Sequence, residues 1–295
     1  FMIMGMGQYP NLGTQDAFAS VTRGDSYHVV RASRLLDDRM DTSVGPFRIE
    51  VVEPLRRLRF ILEAGEDRAI ACDLTWEGAI PAFEEPRQYK RMFGRVVFDT
   101  MRFAQTGCWT GSLEVDGESF AITPDRWKGT RDRSWGVRPV GETEPAGIRE
   151  EAGQMVGLWN YAPMQFDDFS ILYIVHEEPD GRRPMEEAMR LWHDPSRAPE
   201  WLGRPEYEHE LEPGTRMIVK PSTLRFPDAP GGPITVAQLK KNNFVGDMAI
   251  LCDVPRTATI KAVEPLTTLR ISKDMFYRLV TEFPQMAIEM MRELA

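Results

Sequence analysis

Apolar and polar residues alternate in short runs along most of this chain. Phe47, Ile49 and Val51 are spaced by Arg48 and Glu50, and Leu58, Phe60 and Leu62 alternate with Arg57, Arg59 and Glu63. Ile70, Cys72, Leu74 and Trp76 alternate with Ala71, Asp73 and Thr75. A period of two sends successive side chains to opposite faces, so each run predicts a strand with one buried and one wet face. Further runs cover residues 95–103, 109–115, 154–161 and 170–176. Turn chemistry separates them at Asp116-Gly117, at Pro179-Asp180-Gly181-Arg182 and at Pro213-Gly214. Many strands joined by short turns predict a mainly antiparallel β architecture.

The period changes near the end. Ser272 is suited to cap a helix over the residues that follow it, and Pro284 suits the first turn of a second helix. There Ala287, Met290, Met291 and Leu294 form one apolar stripe. The segment Pro227 to Pro233 reads as a hairpin turn or a domain junction. At 295 residues the chain has room for two ordinary domains. Hydrophobic residues make up 42%, which is enough for a packed core and excludes wholesale disorder. A net charge of −9 argues against a general nucleic-acid binder, which needs a basic face. No run reaches the roughly 18 apolar residues expected of a membrane helix. Cys72, Cys108 and Cys252 are odd in number and lack metal-like spacing, so a reducing cytoplasm is expected. The apolar start, Phe1 to Met6, lacks a basic leader region and reads as the interior of a longer chain.

Gly246-Asp247-Met248-Ala249-Ile250-Leu251 reads as a short helical turn entered through glycine, where free N–H groups suit an anion. Pro255-Arg256-Thr257-Ala258-Thr259 follows closely. A carboxylate, a nest of amides and an arginine in so short a span are suited to a sugar phosphate. These residues resemble the phosphate-binding cassette of cyclic nucleotide-binding domains. The resemblance covers about residues 238–295 and includes the stretch Leu266 to Ile271 and the terminal helices. It implies cAMP or cGMP as ligand. It implies nucleotide-binding roles for Gly246 and Asp247, with the Asp247 carboxylate on the ribose 2′-hydroxyl, Arg256 on the cyclic phosphate, and Thr257 and Ala258 supplying the neighbouring hydroxyl and amide.

A second resemblance covers residues 7–236. It rests on Gly7 to Gly13, Asp41 to Phe47 and Gly129 to Arg138, with the signature Asp132, Trp135, Gly136. These segments resemble an uncharacterised tandem lipocalin-like family, distantly similar to carotenoid 1,2-hydratase and AttH-like proteins. The resemblance implies two β-barrel units in tandem, at 1–105 (shortened at its start) and 106–237, ahead of the cassette-like segment. It also implies a small apolar ligand, either bound or hydrated. Where such motifs often carry histidine this chain has Arg133, which stays protonated and cannot shuttle a proton.

Asp132 is the candidate general acid if a barrel buries it. The competing reading is an ion pair with Arg131, Arg133 or Arg138. Trp135, Trp159 and Tyr161, with Trp109 and Trp127, are candidate walls for an apolar ligand, or ordinary packing. Asp167-Asp168 reads as a turn, since adjacent strand residues face opposite ways. His28, His176, His193 and His209 lack ligand spacing, so no metal is expected. Two functions follow: a binding protein or hydratase-like enzyme for a small apolar molecule, or a cyclic-nucleotide-responsive regulatory module without catalysis.

Overall fold

The computed structural model describes residues 1–92, 94–137, 157–209 and 223–237. The chain divides into two compact units, one of Phe1–Glu206 with Arg225–Ile234 and one of Tyr207–Leu224 with Thr235–Ala295. The described residues are mainly strand and contain no helix. The predicted helices after Ser272 and after Pro284 lie outside the described residues, as does the stretch Leu266 to Ile271.

The strands are β1 (Met2–Tyr9), β2 (Thr14–Arg23), β3 (Ser26–Leu35), β4 (Ser43–Val44), β5 (Phe47–Glu53), β6 (Arg57–Leu62), β7 (Ile70–Gly78), β8 (Phe83–Glu84) and β9 (Gln88–Met92). They continue as β10 (Arg95–Val115), β11 (Glu118–Ile122), β12 (Lys128–Val137), β13 (Leu158–Tyr161), β14 (Met164–Gln165), β15 (Phe169–Glu177), β16 (Met185–Trp192) and β17 (Glu200–Trp201). Short strands Glu206–Glu208, Thr223–Phe226 and Ile234–Ala237 follow. Turns at Ala229 and Gly232 fill the proline-rich segment.

Among the described residues the first unit holds three antiparallel sheets. β1-β2-β3 form one, and β11-β10-β7-β6-β5-β4 form a second to which β8, β9 and β12 add along β10. The third runs β13-β15-β16-β17 with β14 against β15. The first core lies between the first two sheets. Ala17, Ala19 and Val21 of β2 pack with Phe47, Phe60, Leu62, Ile70, Cys72, Leu74, Leu113 and Val115. These are the apolar halves of the alternating runs, which explains why those runs are strands.

The two runs at 95–103 and 109–115 are one strand of 21 residues, β10. The residues between them, Ala104-Gln105-Thr106-Gly107, lack the alternation because both faces are buried there. Gln105 stays in the strand because its Nε2 donates to the carbonyls of Leu55 (2.8 Å) and Ile80 (3.0 Å). Gly107 stays because a Cβ would lie 2.2 Å from the Glu77 carbonyl oxygen and 2.7 Å from the Trp76 ring. A division of the chain at 105/106 falls inside this strand.

Leu113 and Val115 of β10 face the first core, whereas Ala104 and Thr106, of the other parity, meet the third sheet, where Ala104 and Ile80 pack with Leu172 and Leu191. The Thr106 and Ser170 hydroxyls hydrogen-bond at 2.6 Å, and Ser170 Oγ lies 3.2 Å from His193 Nε2.

Candidate functional site

The even face of β10 carries Arg102, opposite Ser134 of β12, and Ala104, opposite Asp132. Directly opposed residues of an antiparallel pair share a face. β8 places Phe83 opposite Ala104, and the Glu85 backbone N–H donates to the Arg102 carbonyl. Glu85 therefore lies beside Arg102. In the third sheet Tyr161, Ile174 and Glu187 form one cross-strand row, and Trp159, His176 and Met185 form the next. This face meets Arg102.

The Arg102 guanidinium stacks 4.8 Å from the Tyr161 ring centroid and 5.6 Å from that of Trp159. Its Nε donates to Glu85 Oε2 at 2.6 Å, and its Nη2 lies 2.5 Å from the same oxygen. The Glu85 side chain is 2% exposed. Burial raises the Glu85 carboxyl above its ordinary value despite Arg102, with Asp132 and Glu187 pushing the same way. Burial also raises Glu187. The Tyr161 phenol is raised by burial first and then by Glu85 and Asp132, while Arg102 opposes. Its hydroxyl is buried without a hydrogen-bond partner. The three carboxyls outnumber the nearby cation, with Glu85 withdrawn from water and Glu187 half-buried. Such a site makes Glu85 take up a proton more readily than an ordinary carboxylate. It can offer the Tyr161 O–H to a polar atom beside an aromatic wall.

Asp132, Trp159 and Tyr161, singled out in the sequence, thus converge. Asp132 itself is exposed, and it reaches the cluster through its charge. Trp135 does not join them. Three residues from Asp132, it faces the other way, 41% exposed, with its ring centroid 6.2 Å from Phe103. Trp109 packs 5.2 Å from Trp76 at the first core, and Trp127 packs against that core too. Asp167-Asp168 forms the bend between β14 and β15. Among the described residues no cluster of His, Cys, Asp or Glu is arranged to hold a metal. Gly246, Asp247, Arg256, Thr257 and Ala258 lie outside the described residues.

Glu85, Arg102 and Glu187 are not evident from sequence reasoning. The available signal was parity: Glu85 shares a face with Phe83, and of the adjacent Glu186 and Glu187 only one can face outward.

A mainly β protein with a buried carboxyl–guanidinium–phenol cluster between two sheets is the class defined so far. Residues 1–222 match a family of unknown function, DUF8625, and the chain belongs to that family. Residues 214–283 match the cyclic nucleotide-binding domain. No curated protein matches. A solved structure assigned as an AttH of Nitrosomonas europaea is similar at 11% identity and a TM-score of 0.46, over 72% of this chain and 69% of that one. No helix among the described residues is long and apolar enough to cross a membrane.

Proposed function

We propose that residues 1–237 form two lipocalin-like units, 1–105 and 106–237, which share β10 and handle a small apolar molecule by binding or hydratase-like chemistry. Residues 238–295 then act as the cyclic-nucleotide-responsive segment, with terminal helices. The observation that carries the first part is the Glu85–Arg102–Tyr161 cluster beside Trp159. A buried carboxyl of raised proton affinity and an unbonded phenol, both withdrawn from water, suit an apolar substrate that needs a proton or an orienting hydrogen bond. In a hydration, Glu85 is the acid for the first proton, with Asp132 the more solvent-accessible carboxylate able to accept one from water. Saturable binding of a neutral fluorescent apolar probe, weakened by Trp159→Ala, is the expected result. Absence of saturable binding by the folded protein refutes this part.

The second reading, a regulatory module responding to cAMP or cGMP, is favoured by the domain match over 214–283, which contains Gly246, Asp247, Arg256, Thr257 and Ala258. Losing a charge-assisted hydrogen bond at a protected phosphate costs about 1.5–3 kcal/mol, roughly ten- to a hundredfold in affinity. Arg256→Ala should weaken nucleotide binding by that factor in calorimetry. Failure of both nucleotides to bind the unmodified protein at millimolar concentration refutes the reading.

A further inference from the structure

The opposite face of β10 and β12 carries a different chemistry. Arg131 lies opposite Gln105, Arg133 opposite Phe103 and Trp135 opposite Met101. All six share one face of the sheet. The half-buried Arg131 guanidinium lies 5.0 Å over the Phe103 ring, and its Nη1 donates to Gln105 Oε1 at 2.8 Å. Gln105 is 1% exposed and cannot turn away, because its Nε2 is held by two backbone carbonyls. The acceptor that orients Arg131 is thus built into the sheet.

Among the described residues no carboxylate lies within ion-pair distance of Arg131 or of Arg133. By contrast, Arg59, Arg87, Arg102 and Arg183 each have a carboxylate partner. Asp132, between the two in sequence, points to the other face. Burial and Arg133 disfavour the Arg131 charge, and Asp132 offsets only part of this. Glu84 sits on the other side of Phe103 in the same cross-strand row as Arg133, without an ion pair to it, so both guanidinium groups are available to an anion. The Nε and Nη2 edge of Arg131 is not used by Gln105, and such an edge matches the two oxygens of a carboxylate.

We propose that Arg131, set by Gln105 and supported by Arg133, is a binding site for the carboxylate head of an amphiphile whose apolar part lies on the exposed ring of Trp135. The site lies on the face of β10 opposite Glu85 and is independent of the reading above, which places the apolar molecule beside Trp159. The test is calorimetric titration of the full chain with decanoate, decanol and acetate, each below its aggregation limit. Decanoate should bind at least tenfold more tightly than decanol, and acetate should bind weakly for want of a tail. Arg131→Gln should abolish the preference for decanoate over decanol, and Arg131→Lys, which keeps the charge but loses the two-donor edge, should reduce it. Circular dichroism verifies that each variant is folded, and Arg131→Lys serves if Arg131→Gln is not. Equal binding of decanol and decanoate overturns the carboxylate site while leaving the apolar-ligand reading intact. Binding of neither overturns the site as well. A preference that survives both substitutions overturns the role of Arg131.

Discussion

Replacing Arg102 by methionine removes the cation beside a carboxyl that is almost fully buried. Two unit charges about 4 Å apart attract by about 4 kcal/mol at an effective dielectric constant near 20. Arg102 is 21% exposed, so solvent screens part of this. A second bound comes from protonation, because Glu85 can escape an unpaired charge by taking up a proton. At pH 7, protonating a carboxyl of ordinary value near 4.3 costs about 3.7 kcal/mol, and near pH 4.5 it costs almost nothing. Loss of stacking on Tyr161 and Trp159 adds about 1 kcal/mol at either pH. Arg102→Met should therefore destabilise by about 2–4 kcal/mol at pH 7 and by about 1 kcal/mol at pH 4.5. Glu85 itself is raised in the folded state. Its contribution is full below its unfolded value and is lost as pH rises through its folded value. Glu85→Gln should remove that downward slope above about pH 4.5. Urea unfolding followed by tryptophan fluorescence at the two pH values measures both effects. A penalty for Arg102→Met that is equal at pH 4.5 and pH 7 would refute the assignment of Glu85 as a buried, proton-trading partner.

Tyr161→Phe removes a buried hydroxyl without a hydrogen-bond partner, so it should leave stability unchanged or raise it by up to about 1 kcal/mol; a loss of 2 kcal/mol or more in urea unfolding would mean that the hydroxyl is bonded in the folded protein. Gly107→Ala places a Cβ against the Glu77 carbonyl and the Trp76 ring, and should cost about 3 kcal/mol or prevent folding, as read by circular dichroism and unfolding midpoint. The Cys72 thiol, pushed up to about 12 by burial, should resist alkylation at pH 8 until the protein is unfolded, as followed by peptide mass mapping at that residue.

The strands β5, β6 and β7 are legible in the sequence because one face of each is buried and the other is wet. β16 is not. Its buried residues, Met185, Ala188 and Leu191, fall three apart because both faces of the strand are covered. β1 is obscured by Gly5 and Gly7, which interrupt its apolar residues. β10 reads as two runs because its middle is buried on both sides and contains Gln105 and Thr106, whose hydrogen-bonding partners are remote in sequence. Of the candidate site, Asp132, Trp159 and Tyr161 were visible by residue type. That Trp135 is turned away from Asp132 was also readable, since an interval of three in a strand changes face. The Glu85–Arg102 pair was not readable, because it depends on the register of β8 against β10.

The long strand β10 also bears on synthesis. Leu113 and Val115 of β10 and Ile122 of β11 complete the first core. The hairpin strands β1 to β3 end at Leu35, so about 87 residues must leave the ribosome before that core can close. At about 5–20 residues per second this is a wait of roughly 4–17 s. During it Met2, Met4, Met6, Ala17 and Val21 present an apolar sheet face that only β5 to β7 can begin to cover. A nascent chain stalled before residue 95 should therefore be a favoured client of ribosome-associated chaperones, and one stalled well past residue 122 should not.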